Sequence, residues 1–191
     1  VPSDDDGIVY GGTPNDASVI EAIQAIQAKG QEVMFYPFIL MDQLAGNGLV
    51  DPWSGEADQP ALPWRGRITT SLAPNIAGTT DGTAAARSEV EAFFGTAAAS
   101  HFTIGSKSVG YSGPVEWGFR RFILHYAALC KVAGGVESFC IGSEMRGLTQ
   151  IRDDQGFPAV DQLRDLAVEV RNILGPDTKI GYAADWSEYF G

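Results

Sequence analysis

Glu144 is the residue in this chain best placed by type and context to do chemistry. It follows an apolar, strand-like run, Ser138-Phe139-Cys140-Ile141-Gly142, and the small Ser143 before it leaves room around the carboxyl group. A carboxyl group held at the end of a rigid strand but facing a cleft suits proton transfer, and partial burial can bring such a group into the range of a general acid. The competing role is structural: a carboxylate that ties down a loop or pairs with an arginine, Arg146 being the nearest basic residue downstream. Two other strand-like runs also end in carboxylates, Asp42 after 32–40 and Asp185 after 179–184, with Glu188 close behind. Cleaving a glycosidic bond takes two carboxyl groups, about 5–5.5 Å apart for retention and about 6.5–9.5 Å apart for inversion. Asp42, Asp185 and Glu188 are the local options for the second, and each is equally the kind of residue that hydrogen-bonds at a rim.

Aromatic side chains supply the second clue. There are four tryptophans: Trp53 and Trp64 in an irregular stretch, Trp117 at helical spacing with Phe122, and Trp186 beside Asp185. An indole face with a polar neighbour suits a sugar ring, which presents apolar C–H groups; loop packing is the alternative use. Trp117 is expected in a helix core. Arg65 and Arg67 flank Gly66 and could donate to sugar hydroxyls or acidic sugars, or salt-bridge within the loop. His125 lies between apolar residues and is expected to pack in the core, while His101 has no usable partner nearby. No Ser-His-Asp order, Cys-His pair or metal-ligand cluster stands out, so neither a metal nor any other cofactor is expected. Cys130 and Cys140 are expected as two buried free thiols.

The elements that must position these groups follow from periodicity. Residues 7–12 read as a strand closed by Gly11 and Gly12. Thr13 as N-cap and Pro14 at the first helical position then open a helix with Val19, Ile20, Ile23 and Ile26 in register, ended by Gly30. Residues 32–40 are nearly all apolar, as a strand buried on both faces must be, although Pro37 removes a ladder donor. From 43 to 113 the pattern breaks into a long inserted loop with a helical segment over 83–99. A helix is expected from Gly113-Pro114 to Gly134-Gly135, a strand over 138–142, a helix from Pro158 to Gly175, and a strand over 179–184. This β-α-β-(loop)-α-β-α-β order predicts parallel strands with helical crossovers, either a (β/α)8 barrel or an open doubly wound sheet. Neither G-x-G-x-x-G nor G-x-x-x-x-G-K-[ST] is present to favour the open sheet.

Bulk properties set outer bounds. The chain has 191 residues, fewer than the ~250 of a typical complete barrel. It opens at Val1 without an initiator Met and stops just after a strand, so a piece of a longer protein is expected. The formal net charge of −11 argues against a nucleic-acid partner, which needs a basic face, and against an anionic membrane surface. No run approaches the ~20 apolar residues of a membrane span, so no membrane insertion is expected. No signal peptide is visible.

Several runs together resemble a known family. They are the segments 33–42, Pro63-Trp64-Arg65-Gly66-Arg67-Ile68, Phe139-Cys140-Ile141-Gly142-Ser143-Glu144-Met145-Arg146-Gly147-Leu148-Thr149, and 182–191. They resemble the TIM-barrel-like glycosidase domain of the host-specificity, or baseplate-hub, protein of α-proteobacterial gene transfer agents and related siphophage tails, over essentially the whole chain. The Gly-Ser-Glu strand end also looks like the fourth-strand acid/base glutamate of the large retaining glycosidase clan. That clan usually carries Asn-Glu there, and this chain has Ser143-Glu144. The resemblance implies an α/β fold, a partial barrel holding strands two to five of eight, with the clan's nucleophile beyond Gly191. It implies Glu144 as acid/base and Asp42, Trp64, Arg65, Asp185 and Trp186 lining substrate subsites. The implied partners are host cell-surface polysaccharide or peptidoglycan and other tail or baseplate proteins. The implied location is the tail of a phage-like particle assembled in the bacterial cytoplasm. Two other functions remain open on the residues: glycan binding without cleavage, which the Ser143 departure favours, and a purely structural barrel in a tail hub.

Overall fold

The computed structural model describes residues 3–4, 7–8, 13–41, 43–61 and 63–189. Strands β1 (Ser3–Asp4) and β2 (Gly7–Ile8) pair antiparallel. The described part of the expected first strand is thus in a hairpin rather than a parallel sheet, and residues 9–12 lie outside the described residues. Helix α1 (Asp16–Gln27) follows, capped by Asn15, whose side-chain oxygen accepts from Ser18 N at 2.9 Å. Asn15 supplies the cap expected of Thr13 because it is the residue adjacent to the first turn, where the orphan amides point. Val19, Ile20 and Ile23 form the buried stripe, and Gly30 closes the turn at φ +70°.

Strand β3 is only Met34–Phe35. Beyond it, Val33, Phe35, Pro37 and Ile39 turn inward while Met34, Tyr36, Phe38 and Leu40 are exposed. The run 32–40 is therefore buried on one face, not two, and its ladder stops just before Pro37, which has no amide to donate. The expected loop 43–113 contains helix α2 (Ala84–Phe94) and an antiparallel pair, β4 (Phe102–Ile104) and β5 (Val109–Tyr111), that periodicity did not reveal.

Helix α3 (Phe119–Val132) starts later than expected. Residues 113–118 instead cross the end of α2, where a Cβ on Gly118 would lie 2.6 Å from Phe94 O. Trp117 thereby falls outside the helix and is 87% exposed, which corrects its expected place in the core. His125 is also not a core residue: it is half-buried, and its Nε2 lies 3.0 Å from Asp16 Oδ1, joining α3 to α1.

Strand β6 (Ser138–Ser143), the short helix α4 (Arg146–Thr149), helix α5 (Pro158–Leu174) and strand β7 (Lys179–Ala183) complete the chain before a 3-10 turn over Trp186–Tyr189. Pro158 opens α5 as expected, and Gly175 at φ +94° ends it. The sheet order is β3-β6-β7, all parallel. This is a mixed α/β fold in which the described residues form three parallel strands where four were expected, and among them the sheet does not close into a barrel. The core lies between the sheet and helices α1, α3 and α5, with Ile123, Leu124, Leu129, Phe139, Leu166 and Val170 fully buried. Phe139 stacks on Phe35 at 5.8 Å. Cys130 and Cys140 are both buried and free, and burial pushes both thiols up. No described helix is long and apolar enough to cross a membrane.

Asp153 ties three elements together. Its carboxylate accepts from Gln155 N at 2.7 Å, Gly156 N at 2.5 Å and Arg87 Nε of α2 at 2.6 Å, while Arg87 also reaches Asp161 of α5 at 3.1 Å. The Gln155 amide, joined by Gly156 and Arg87 against the opposing effect of desolvation, holds Asp153 below the usual carboxylate value. A depressed folded pKa contributes stability above the unfolded value of about 3.9, and that contribution is lost as pH falls through the lower folded value. The urea midpoint of wild type should therefore exceed that of Asp153→Asn near neutrality, and the gap should narrow as the pH falls below about 3.9. A gap independent of pH would show that Asp153 titrates alike in both states.

Candidate functional site

The site begins where β6 ends. Ser143 is the last strand residue, and the chain turns sharply at Glu144, a non-glycine residue at φ +50°. Its amide still donates to Ala183 O at 2.9 Å, so β7 holds the turn in place. The bend aims the Glu144 carboxylate at residues 64 and 65 of the long loop. Glu144 Oε2 accepts from Trp64 Nε1 at 3.0 Å and from Arg65 Nη2 at 2.7 Å. Among the described residues Oε1 has no hydrogen-bond partner.

Arg65 is anchored as well as paired. Its Nε donates to Ser143 O at 3.2 Å, its Nη2 donates to Ser143 Oγ at 3.0 Å, and its guanidinium carbon lies 4.9 Å from the centre of the Phe38 ring. Ser143 is only 2% exposed, and its hydroxyl also hydrogen-bonds the Tyr36 hydroxyl. A buried hydroxyl needs such partners, and here they come from β3's extension and from the loop. The arginine that pairs with Glu144 is thus Arg65, while Arg146 is exposed.

Glycines make this approach possible. Residues Arg65–Arg67 form a 3-10 turn, over which the Trp64 ring folds; a Cβ on Gly66 would lie 2.4 Å from that ring. A Cβ on Gly147 of α4 would lie 2.6 Å from Gly66 O and 2.7 Å from Ile68 O. The turn is braced from behind by Trp53, whose Nε1 donates to Arg67 O at 2.8 Å, and by Arg67, whose Nη2 donates to both oxygens of Asp51 at 2.8 Å. Trp53 and Arg67 therefore serve loop packing. Trp64 keeps 43% of its surface exposed.

The other expected residues have separate places. Asp185 caps the Trp186–Tyr189 turn: its Oδ1 accepts from Ser187 N at 3.0 Å and from the Ser187 hydroxyl, and Glu188 Oε2 accepts from Asp185 N at 2.7 Å in return. The Ser187 hydroxyl bond, with the Ser187 amide, holds Asp185 below the usual carboxylate range. Glu188 Oε1 accepts from Tyr182 OH at 2.8 Å and Thr149 Oγ1 at 2.7 Å, and Tyr182 Oη in turn accepts from Met145 N at 2.8 Å. Burial pushes the Tyr182 phenol up. Trp186 is 76% exposed. None of the described hydrogen bonds joins Asp185 or Trp186 to Glu144, and Asp42 lies outside the described residues. The structure brings together Trp64, Arg65 and Glu144. Sequence reasoning missed Tyr36 and Ser143 as the anchors of Arg65; the available signal was a tyrosine in an otherwise apolar run, whose hydroxyl must find a partner when buried.

The arrangement offers one carboxylate whose Oε1 has no partner among the described residues, a fixed cation and a half-exposed indole, with the exposed Phe38 ring against the cation. Among the described residues no group of three or more His, Cys, Asp or Glu could hold a metal ion. This combination can exchange a proton, accept and donate hydrogen bonds to hydroxyls, and stack an apolar ring face.

Comparison with known families adds one finding: residues 117–191 match the family of GTA (gene transfer agent) TIM-barrel-like domains. The match takes in Glu144, Asp185 and Trp186, and begins downstream of Trp64 and Arg65. No curated protein matches the chain.

The glycine contact is directly testable. Gly147→Ala forces a methyl group against two backbone oxygens and should cost about 1–3 kcal/mol in urea unfolding. It should also move the Trp64 indole N–H resonance, because the loop must retreat from Glu144. An unchanged stability together with an unchanged indole resonance would refute the interlock.

Proposed function

We propose that this chain is the glycosidase-like domain of a tail-tip protein in a phage-like particle, acting on host surface polysaccharide or peptidoglycan. The observation that carries the reading is Glu144 at a strand's C-terminal end, hydrogen-bonded to the half-exposed Trp64. In parallel α/β folds this is the end where chemistry gathers. The likeness to gene-transfer-agent domains supports the particle setting. In this mechanism a sugar ring stacks on Trp64, and Glu144, having taken a proton from solvent, passes it from Oε1 to the glycosidic oxygen as the C–O bond breaks; water adds to the glycosyl carbon and gives up its proton to a second carboxylate or to solvent. Arg65 holds the carboxylate in place from the other oxygen. Asp185 and Glu188 are hydrogen-bonded in the Trp186–Tyr189 turn rather than to Glu144; the resemblance implies a nucleophile beyond Gly191.

A second reading, glycan recognition without cleavage, draws on Ser143. In the position where the retaining clan carries a sugar-contacting asparagine, its hydroxyl is buried and bonded to Tyr36 and Arg65. Recognition alone would need Trp64 and Arg65 and leave Glu144 as an anchor.

Reducing-sugar release from purified cell-wall and capsule preparations separates the two. Under the leading reading, wild type releases sugar, and Glu144→Gln lowers the rate about 10²-fold or more, as loss of a general acid does. Equal release by both proteins would remove Glu144 from the chemistry. No release, with binding that is lost in Trp64→Ala, would establish the second reading.

A further inference from the structure

We propose that Trp117 is the stacking platform of a second glycan subsite, remote from Glu144 but on the same end of the sheet. The inference rests on the glycan reading and extends it to a different surface. Trp117 is 87% exposed, with the Arg121 guanidinium packed on one face of its ring. The Arg121 guanidinium lies 4.0 Å from the Trp117 ring centre and 4.1 Å from that of Tyr111, so the cation is layered between two aromatic rings. Arg121 Nη1 donates to Glu116 O at 2.5 Å. The Glu116 carboxylate in turn accepts from Thr96 N at 2.7 Å, Ala97 N at 2.9 Å and Thr96 Oγ1 at 3.0 Å. The arm that presents Trp117 is therefore fastened to the end of α2 at both backbone and side chain.

A ring presented on a fastened arm and packed against a guanidinium has less freedom to lose on binding, which lowers the ordering cost of its contact. The footprint fits a sugar. Trp117 and the fully exposed Val115 stand among Ser112, Gly113, Pro114, Glu116 and Gly118, small or polar residues rather than the contiguous apolar patch that a protein interface of ~800 Å² per partner would need. One indole face beside a guanidinium matches one pyranose ring with its hydroxyls.

Topology supplies the relation to Glu144. Helix α3 has 14 residues and leads back to the start of β6, so it runs against the strands for about 21 Å. Its N-terminus, and with it Trp117, lies at the end where β6 delivers Glu144. A ligand that reaches both aromatics must be a polymer, and the second contact then raises avidity without altering the first.

The test uses this chain with peptidoglycan sacculi in a sedimentation assay, and with the monomeric peptidoglycan disaccharide followed by tryptophan indole N–H resonances. Trp117→Ala should weaken sedimentation with sacculi about three- to tenfold and leave disaccharide binding at Trp64 unchanged. Trp64→Ala should abolish the disaccharide response. Sacculus binding that is intact in Trp117→Ala but lost in Trp64→Ala overturns this inference and leaves the cleft reading standing. Loss in Trp117→Ala alone does the reverse. Failure of wild type to sediment overturns the inference, while sugar release still decides the cleft. Self-association in the ultracentrifuge that disappears in Trp117→Ala, without sacculus binding, would make the platform a protein contact and overturn it too.

Discussion

Strand β6 is hydrogen-bonded on both sides, to β3 and to β7, and residues 139–143 are all buried. That double constraint fixes the register of everything around it. A strand locked on two edges and covered by α3 and α5 cannot slip, because a one-residue shift would exchange its two faces. The position of Glu144 follows as the first residue beyond a fixed strand. The flanking strands then contribute from both sides: Tyr36, just past β3, reaches the Ser143 hydroxyl, and Tyr182 of β7 accepts from the Met145 amide. The site is thus a direct consequence of the central strand rather than a loop feature laid upon it.

Two unfavourable features at this strand end explain the loop's shape. Ser143 buries a hydroxyl, and Glu144 adopts a left-handed backbone that costs a non-glycine residue about 1–2 kcal/mol. Arg65 answers the first by donating to both the hydroxyl and the carbonyl of Ser143, and the second by holding the carboxylate that the turn projects. Bringing Arg65 that close requires Gly66 and Gly147, since any larger residue would meet a ring or a backbone oxygen. The Trp-Arg-Gly turn and the Glu-Met-Arg-Gly segment are therefore two halves of one contact.

What the sequence made legible was what local physics determines. Periodicity and terminal glycines gave α1, α5, β6 and β7, because each is read from neighbours within one element. The start of α3 was missed because residues 113–118 have helix-compatible character but are pulled across α2 by the Gly95–Gly118 contact and the Glu116 bonds. Trp117 was misplaced for the same reason. The β4–β5 pair was missed because its strands are three residues each, too short for alternation to register. Arg65 as the partner of Glu144 was hidden by a separation of 79 residues, for which spacing carries no signal. The carboxylates at 144 and 185 were legible as strand-end groups; the bond of Glu144 to Arg65 is set by a long-range contact, whereas Asp185 bonds locally to Ser187, two residues on.

The exposed row Met34, Phe38 and Leu40 lies on the face of the run 32–40 that the core does not cover. Parallel strands ordinarily bury both faces, as β6 does, yet the run 32–40 is covered on one face. Its other face carries this apolar row, and the Arg65 guanidinium stacks on Phe38 within it. The Arg65 charge is balanced by Glu144, so the site contributes no strong local field, while the chain as a whole carries −11. A polyanionic ligand would be repelled at long range and gain no compensating attraction at this site. Within the glycan reading, the balance favours a neutral or amino-sugar chain, held by stacking on indole and by short-range hydrogen bonds, over an acidic capsule.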